Sequence, residues 1–222
     1  MSPRRRDGEP GPTASTRLAD ELRQQILRGD LMPGTALREE ALAERHSLSR
    51  HTVRTALALL TAERLLTQVP YQGIRVRTFT AADLVASQQL RCALESEAVR
   101  ILRDIHGSSW PGEVTAPVEA ALDELERVAD LSPDDWPSLA RAHAAVHRAI
   151  VAASRSPRIE EAYALLDSEM LLLLVNMRPT YAAADLVSEH RAYLREAAEE
   201  GPDAVRRHID GGTLNAVTAD LA

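Results

Sequence analysis

Ser49-Arg50-His51-Thr52-Val53-Arg54-Thr55-Ala56-Leu57-Ala58-Leu59-Leu60 is the stretch that decides the fold of the first third of the chain. Ser49 is a good N-cap, because its hydroxyl can accept from an orphan N–H of the first helical turn. Val53, Ala56, Leu57 and Leu60 then fall at helical spacing and make one apolar face. Arg50 and Arg54 lie one turn apart on the outer face. A helix that opens with exposed donors suits the DNA major groove. An arginine fork takes guanine O6 and N7 together, or pairs with phosphate. Ser49, His51 and Thr52 add short donors for phosphates or base edges. The competing reading is an ordinary amphipathic helix with a solvated cationic face.

The neighbouring segments favour the DNA reading. Upstream, Leu18, Leu22, Ile26 and Leu27 have helical spacing, and Gly29 stops that helix. Met32-Pro33-Gly34 is a turn. Residues 38–46 read as a short helix with Leu42 and Ala43 inward, followed by a turn at Ser47-Leu48. Downstream, residues 65–69 and 74–77 read as short strands flanking Pro70-Tyr71-Gln72-Gly73, a hairpin. Helix, helix-turn-helix and hairpin together make a winged helix-turn-helix over residues 14–78. Residues 1–13 hold Pro, Gly and charge with nothing to bury, which predicts a disordered arm. Arg4, Arg5 and Arg6 read as part of that solvated tail.

From Thr80 onward the pattern contains no strand. Thr80 or Asp83 can cap a long helix whose inward face is expected to carry Leu90, Leu94, Ala98, Ile101 and Ile105. Further helices are expected at 115–130, 135–153, 157–178, 183–200 and 202–220, with prolines near their starts and a break or kink at Gly211-Gly212. The predicted class is mainly α, with residues 79–222 forming an all-helical bundle. Aromatics are 3% of the chain, so the cores must be built from Leu, Ala, Val and Ile.

Charge divides the chain at the same place. Residues 1–79 hold 13 Arg against 9 Asp and Glu, a net of +4, whereas residues 80–222 hold 13 Arg against 24 acids, a net of −11. A basic front half is what a polyanion partner requires. Cys92 is the single cysteine, so no intramolecular disulfide can form. There is no apolar run long enough to span a membrane, and the first residues lack the apolar segment of a signal peptide. A cytoplasmic protein is expected.

The acidic half carries a histidine pattern. His143 and His147 are i and i+4 on a face shared with Leu139, Val146 and Ile150. His190 shares a face with Leu186, Tyr193, Leu194 and Ala197, and His208 lies beside Val205 and Ile209. Inward imidazoles on three helices can converge on one divalent metal, zinc first, with nickel or cobalt as alternatives. The other reading is four buried histidines, each with its own hydrogen bond. A metal-dependent hydrolase is disfavoured. His143-Ala-Ala-Val-His147 lacks the Glu that a zinc protease places beside its first histidine.

These features resemble the GntR family of transcription regulators. Residues 29–37, Gly-Asp-Leu-Met-Pro-Gly-Thr-Ala-Leu, resemble that family's opening turn. Leu42-Ala43, Ser49-Arg50, Val53-Arg54 and Ala56-Leu57 follow at its spacing, and Gln72-Gly73 falls at its wing tip. The resemblance implies DNA contacts from Ser49, Arg50, His51, Thr52, Arg54, Gln72 and Gly73. Glu40 replaces a common basic residue, so a phosphate contact is lost or supplied by Arg38. Thr52 stands for the usual Pro, Thr55 for a Glu, and Arg64 for a Gly before the wing.

The second half resembles the FCD-type ligand-binding domain of the FadR subgroup. The resemblance rests on Arg91-Cys92-Ala93-Leu94-Glu95, residues 143–147, Glu189-His190 and Arg206-Arg207-His208. In metal-binding members of the subgroup an Asp and three His hold the ion. His147, His190 and His208 match the histidines, and His143 stands in the Asp position. Arg91 is the best candidate to hold an organic carboxylate effector, its alternative being an i,i+4 ion pair with Glu95. Asn176 and Arg178 are further pocket candidates. The resemblance implies a homodimer on palindromic operator DNA, controlled by a small-molecule effector. A metal-free effector-binding regulator is the alternative.

Overall fold

A computed structural model describes residues 12–176 and 183–220, leaving aside the side chains of 173–176 and 213–220. Most of the arm expected over residues 1–13, Arg4 to Arg6 included, lies outside the described residues, as do Arg178 and the Asn176 side chain. The chain divides into two units, with the main boundary between Arg77 and Thr78.

The first unit runs α1 (Ala14–Arg28), β1 (Ala36–Leu37), α2 (Glu39–His46), α3 (Arg50–Ala62), β2 (Leu66–Val69) and β3 (Gly73–Val76). Ser49 caps α3 by accepting the Thr52 N–H at 3.1 Å. Val53, Ala56, Leu57 and Leu60 are buried, as are Leu18, Leu22 and Ile26 of α1. Arg23 of α1 donates two hydrogen bonds, of 2.8 and 2.6 Å, to Glu63 at the end of α3. The β2–β3 hairpin is antiparallel, with Leu66 opposite Val76 and Val69 opposite Gly73. β1 is a strand that the sequence pattern did not reveal. Two residues are too few to show alternation, and their partner β3 lies far along the chain, with Leu37 opposite Ile74.

The second unit is helical throughout its described residues: α4 (Ala81–His106), α5 (Gly112–Leu131), α6 (Trp136–Ala153), α7 (Pro157–Asn176), α8 (Ala183–Glu200) and α9 (Pro202–Asp220). Thr80 and Asp83 both cap α4, each accepting from the other's backbone N–H. α4 packs against α6, α7, α8 and α9, so it runs through the middle of the bundle. Val99, Leu102, Leu122, Leu125, Leu139, Val146, Ile150 and Val205 form much of the core.

The apolar face expected on α4 is only partly covered, with Ala98 buried and Leu94 and Ile101 half-buried. Ser87, Gln88, Arg91, Glu95 and Ser96 are buried, whereas Leu90 and Ile105 are 50% and 64% exposed. A buried polar row is costly unless every group finds a partner, so it marks a site rather than a core. α9 continues through Gly211-Gly212 without the expected break. Among the described residues no helix is long and apolar enough to cross a membrane.

Arg64 has φ of 58°, in the left-handed region. A residue bearing a Cβ sits there at a cost of roughly 1–2 kcal/mol that glycine avoids. The GntR resemblance places glycine at this position. Replacing Arg64 by Gly is therefore expected to stabilise the first unit by about 1 kcal/mol, read as a higher denaturant midpoint at unchanged slope. A lower midpoint would show that the Arg64 side chain contributes more than its backbone strain costs.

Candidate nucleic-acid interface and metal centre

α3 displays the residues expected to meet DNA. Ser49, Arg50, His51 and Arg54 are exposed, and Thr52 is half-buried. Arg38 is exposed at the N-cap of α2, and Gln72 and Gly73 are exposed at the hairpin. The two α3 arginines have partners already. Arg50 pairs with Glu40 at 2.9 Å and Arg54 with Glu39 at 3.0 Å. Arg50, Arg54 and Glu40 are open to water, and exposed pairs are worth about 1 kcal/mol or less, so a phosphate or a base edge can compete for them. Tyr71 is a residue that sequence reasoning passed over. It lies fully exposed at the tip of the hairpin, with φ of 64°.

The second site lies where α4, α6, α8 and α9 meet. Their contributions are Glu95 from α4, His143 and His147 from α6, His190 and Tyr193 from α8, and His208 from α9. His143, His147, His190 and Glu95 are buried, and His208 is half-buried. Ligand nitrogens of His143, His147 and His190 lie within 4.8 Å of one another. The His208 ring centroid is 4.6 Å from that of His190 and 5.2 Å from that of His147, and its face stacks on Tyr193 at 4.1 Å.

Hydrogen bonds at the outer nitrogens fix the inner ones. His190 Nδ1 is 2.7 Å from the Leu186 carbonyl, which can only accept, so His190 carries its proton there. His147 Nδ1 is 2.7 Å from Glu95 Oε1, and that carboxylate accepts from Tyr193 at 2.6 Å as well. Both neutral rings therefore turn an Nε2 lone pair inward. Those two atoms are 3.0 Å apart, and His147 Nε2 is 3.2 Å from His143 Nε2. Facing lone pairs at that distance repel unless a cation lies between them.

A proton is a poor candidate for that cation. Burial, the neighbouring histidines and the Arg91 guanidinium hold His143 and His208 well below the ordinary imidazole range. His147 is held down by burial, Arg91 and His190. Burial lowers His190 to about 4 despite its bond to Leu186. A divalent metal fits. Two nitrogens each about 2.1 Å from a shared ion stand roughly 3.0–3.4 Å apart, for right-angled to tetrahedral arrangements. A histidine ligand whose far nitrogen donates to a carboxylate or a backbone carbonyl is the usual outer support of such a site, and His147 and His190 supply one of each.

Comparison with known proteins agrees with both halves. Residues 14–76 match the bacterial regulatory proteins of the gntR family, and residues 87–211 match the FCD domain. The chain belongs to the FCD-domain proteins, matched over more than half of its length, and its first unit matches the gntR regulators. An uncharacterised HTH-type regulator of Bacillus subtilis, YdhC, is 25% identical over 86% of this chain and 83% of its own. The repressor GlaR of Escherichia coli is 32% identical over 59% of each chain. Among solved structures, a GntR regulator from Rhodococcus sp. RHA1 superposes with a TM-score of 0.75 at 23% identity, covering 92% of this chain and 98% of that one. The relatives named here are transcription regulators, not enzymes.

In this chain the acidic partner of the histidines is only half legible from the sequence. Glu95 was read as an ion-pair partner of Arg91, and the structure does place Arg91 Nε 3.6 Å from Glu95 Oε2. Arg91 also donates to Gln88 at 3.2 Å. The further role of Glu95, anchoring His147 and Tyr193, was missed. Its signal is a run of polar residues, Ser87, Gln88, Arg91, Glu95 and Ser96, recurring at helical spacing where an apolar face belongs. Arg91 lines a cavity of about 10 Å³ with His143, His147, Tyr163, Leu166, Asp167 and Met170. That is room for roughly one water.

Depressed histidine pKa values make stability depend on pH with a definite sign. An unfolded histidine takes its proton near ~6.5. The folded protein withholds it, from His190 down to about 4. Between those values the unfolded chain binds more protons, so stability falls as pH falls. Each such histidine contributes up to about 1.4 kcal/mol per pH unit across the window. Chelator-treated protein is expected to unfold at clearly lower urea at pH 5 than at pH 7. An unchanged midpoint would mean that these histidines are not held neutral.

Proposed function

We propose that this chain is a ligand-responsive transcription regulator that binds operator DNA as a homodimer in the cytoplasm. Its helical unit holds one divalent metal at His143, His147, His190 and His208 and responds to a small organic acid. The observation that carries the proposal is the pair of Nε2 lone pairs, on His147 and His190, fixed 3.0 Å apart by outward hydrogen bonds.

Four neutral imidazoles favour zinc, nickel or cobalt over the oxygen-seeking magnesium and manganese. Zinc is our first assignment. When bound, the ion would offer Lewis-acid attraction to a carboxylate oxygen, and Arg91 would hold the carboxylate by its guanidinium fork. The cavity beside Arg91 is too small for an organic acid as it stands. Admitting one requires the α7 wall of Leu166 and Met170 to give way, and this couples ligand binding to a helix movement. Arg38, Ser49, Arg50, His51, Thr52, Arg54, Gln72 and Gly73 are the proposed DNA contacts, and we add Tyr71. A homodimer is supported by Val85, Ala86, Leu90 and Ala93, an exposed apolar stripe along α4.

Fluorescence anisotropy on the gene's own upstream DNA tests the proposal. Arg50→Ala and Arg54→Ala are each expected to weaken binding by about 1–3 kcal/mol, and binding is expected to weaken steeply with salt. Adding zinc to chelator-treated protein is expected to change the affinity of the wild type but not of His147→Ala. Wild-type affinity in both arginine variants would remove α3 from the interface. Identical zinc responses in wild type and His147→Ala would remove the histidines from the sensing site.

A further inference from the structure

A metal ion needs a route to the buried histidines, and two of the openings onto them, as lined by the described residues, differ in size and charge. One is the cavity of about 10 Å³ lined by Arg91, His143 and His147, whose guanidinium repels a cation. Asp167, on the same wall, is already paired with Arg148 at 2.9 Å. The other opening is a pocket of about 290 Å³ between α8 and α9. Glu189, Glu196, Tyr193, His208 and the Gly211-Gly212 pair line it. Among its described lining residues the one cation is Arg207, held by Glu200 at 2.6 Å and by Glu196 at 3.7 Å.

His208 belongs to both the pocket and the cluster. It is the only one of the four histidines that is half-buried rather than buried, and its ring still packs on His190 and His147. Two consecutive glycines in the middle of α9 need a reason, since each costs about 1 kcal/mol relative to alanine in a helix. A Cβ placed on either would meet nothing within 4 Å, so neither glycine answers to tight packing. Both line the pocket, and side chains there would project into open space at its mouth.

Resting on the metal proposal above, we infer that the ion reaches and leaves the cluster through the α8–α9 pocket, with His208 as the ligand that first takes it and passes it inward. Glu189 and Glu196 steer the cation toward the mouth. The glycine pair keeps that mouth open. The stack of His208 on Tyr193 gives the outer ligand a defined resting position, from which it turns toward the inner lone pairs of His147 and His190.

Stopped-flow loading of chelator-treated full-length protein with cobalt(II) tests this, using the visible bands that appear on coordination. Gly212→Leu, which fills the mouth, is expected to slow both uptake and release tenfold or more while leaving the equilibrium affinity near that of the wild type. Glu189→Gln combined with Glu196→Gln is expected to slow uptake several-fold and to flatten its dependence on salt. Ala144 also lines the cavity on the Arg91 side, and Ala144→Leu is expected to load at the wild-type rate. The route is overturned if Gly212→Leu loads as fast as the wild type, or if Ala144→Leu is the slow variant. A wild type that takes up no cobalt overturns the metal proposal itself. Normal affinity with normal rates in Gly212→Leu overturns only the route.

Discussion

The Glu95–His147 hydrogen bond organises the helical unit. Glu95 sits at the centre of α4 with no exposure to water, and such a carboxylate is tolerated only if its lone pairs are used. His147, Tyr193, Tyr163 and Arg91 use them. By accepting a hydrogen bond from the Nδ1–H of His147, Glu95 commits the other nitrogen to face the cluster as an acceptor. The Leu186 carbonyl does the same for His190. The polar row on α4, the histidines of α6, the aromatic stack of α8 and α9 and the tight cavity all follow from accommodating that one carboxylate and its imidazole.

Such a centre suits a regulator. A metal ion held there would tie α6, α8 and α9 together and lower the free energy of one bundle arrangement, so a change in its occupancy would shift the population of arrangements. On the proposed DNA face, the α3 arginines are held by Glu39 and Glu40 through surface pairs that a phosphate could replace at small cost. The rigid parts of each unit lie beneath its working surface. Val53, Leu57 and Leu60 anchor α3, and Val146 and Ile150 anchor α6.

Much of this could be read from the amino acids, and the failures share a physical cause. The cap at Ser49, the apolar face of α3, the hairpin and the helices after Thr80 are local patterns, and local patterns survive in sequence. The inward direction of His143, His147 and His190 was legible for the same reason. β1 was not, because its pairing with β3 is long-range. Leu90 and Ile105 were placed in the core because periodicity shows an apolar stripe without showing which side of a helix is covered. α4 turns its polar row inward and leaves Leu90 outside. The role of Glu95 was hidden because a carboxylate four residues after an arginine is explained well enough by an ion pair, until three other helices bring His147, Tyr163 and Tyr193 to it.

The central claim is that neutral imidazoles surround a metal ion in the helical unit. Its most direct test is X-ray absorption at the metal edge, on zinc-loaded full-length protein purified without an affinity tag. The account predicts one ion per chain with imidazole nitrogens at about 2.0–2.1 Å, and loss of that signature in His147→Ala. A spectrum of oxygen ligands only, or one that His147→Ala leaves unchanged, would contradict it.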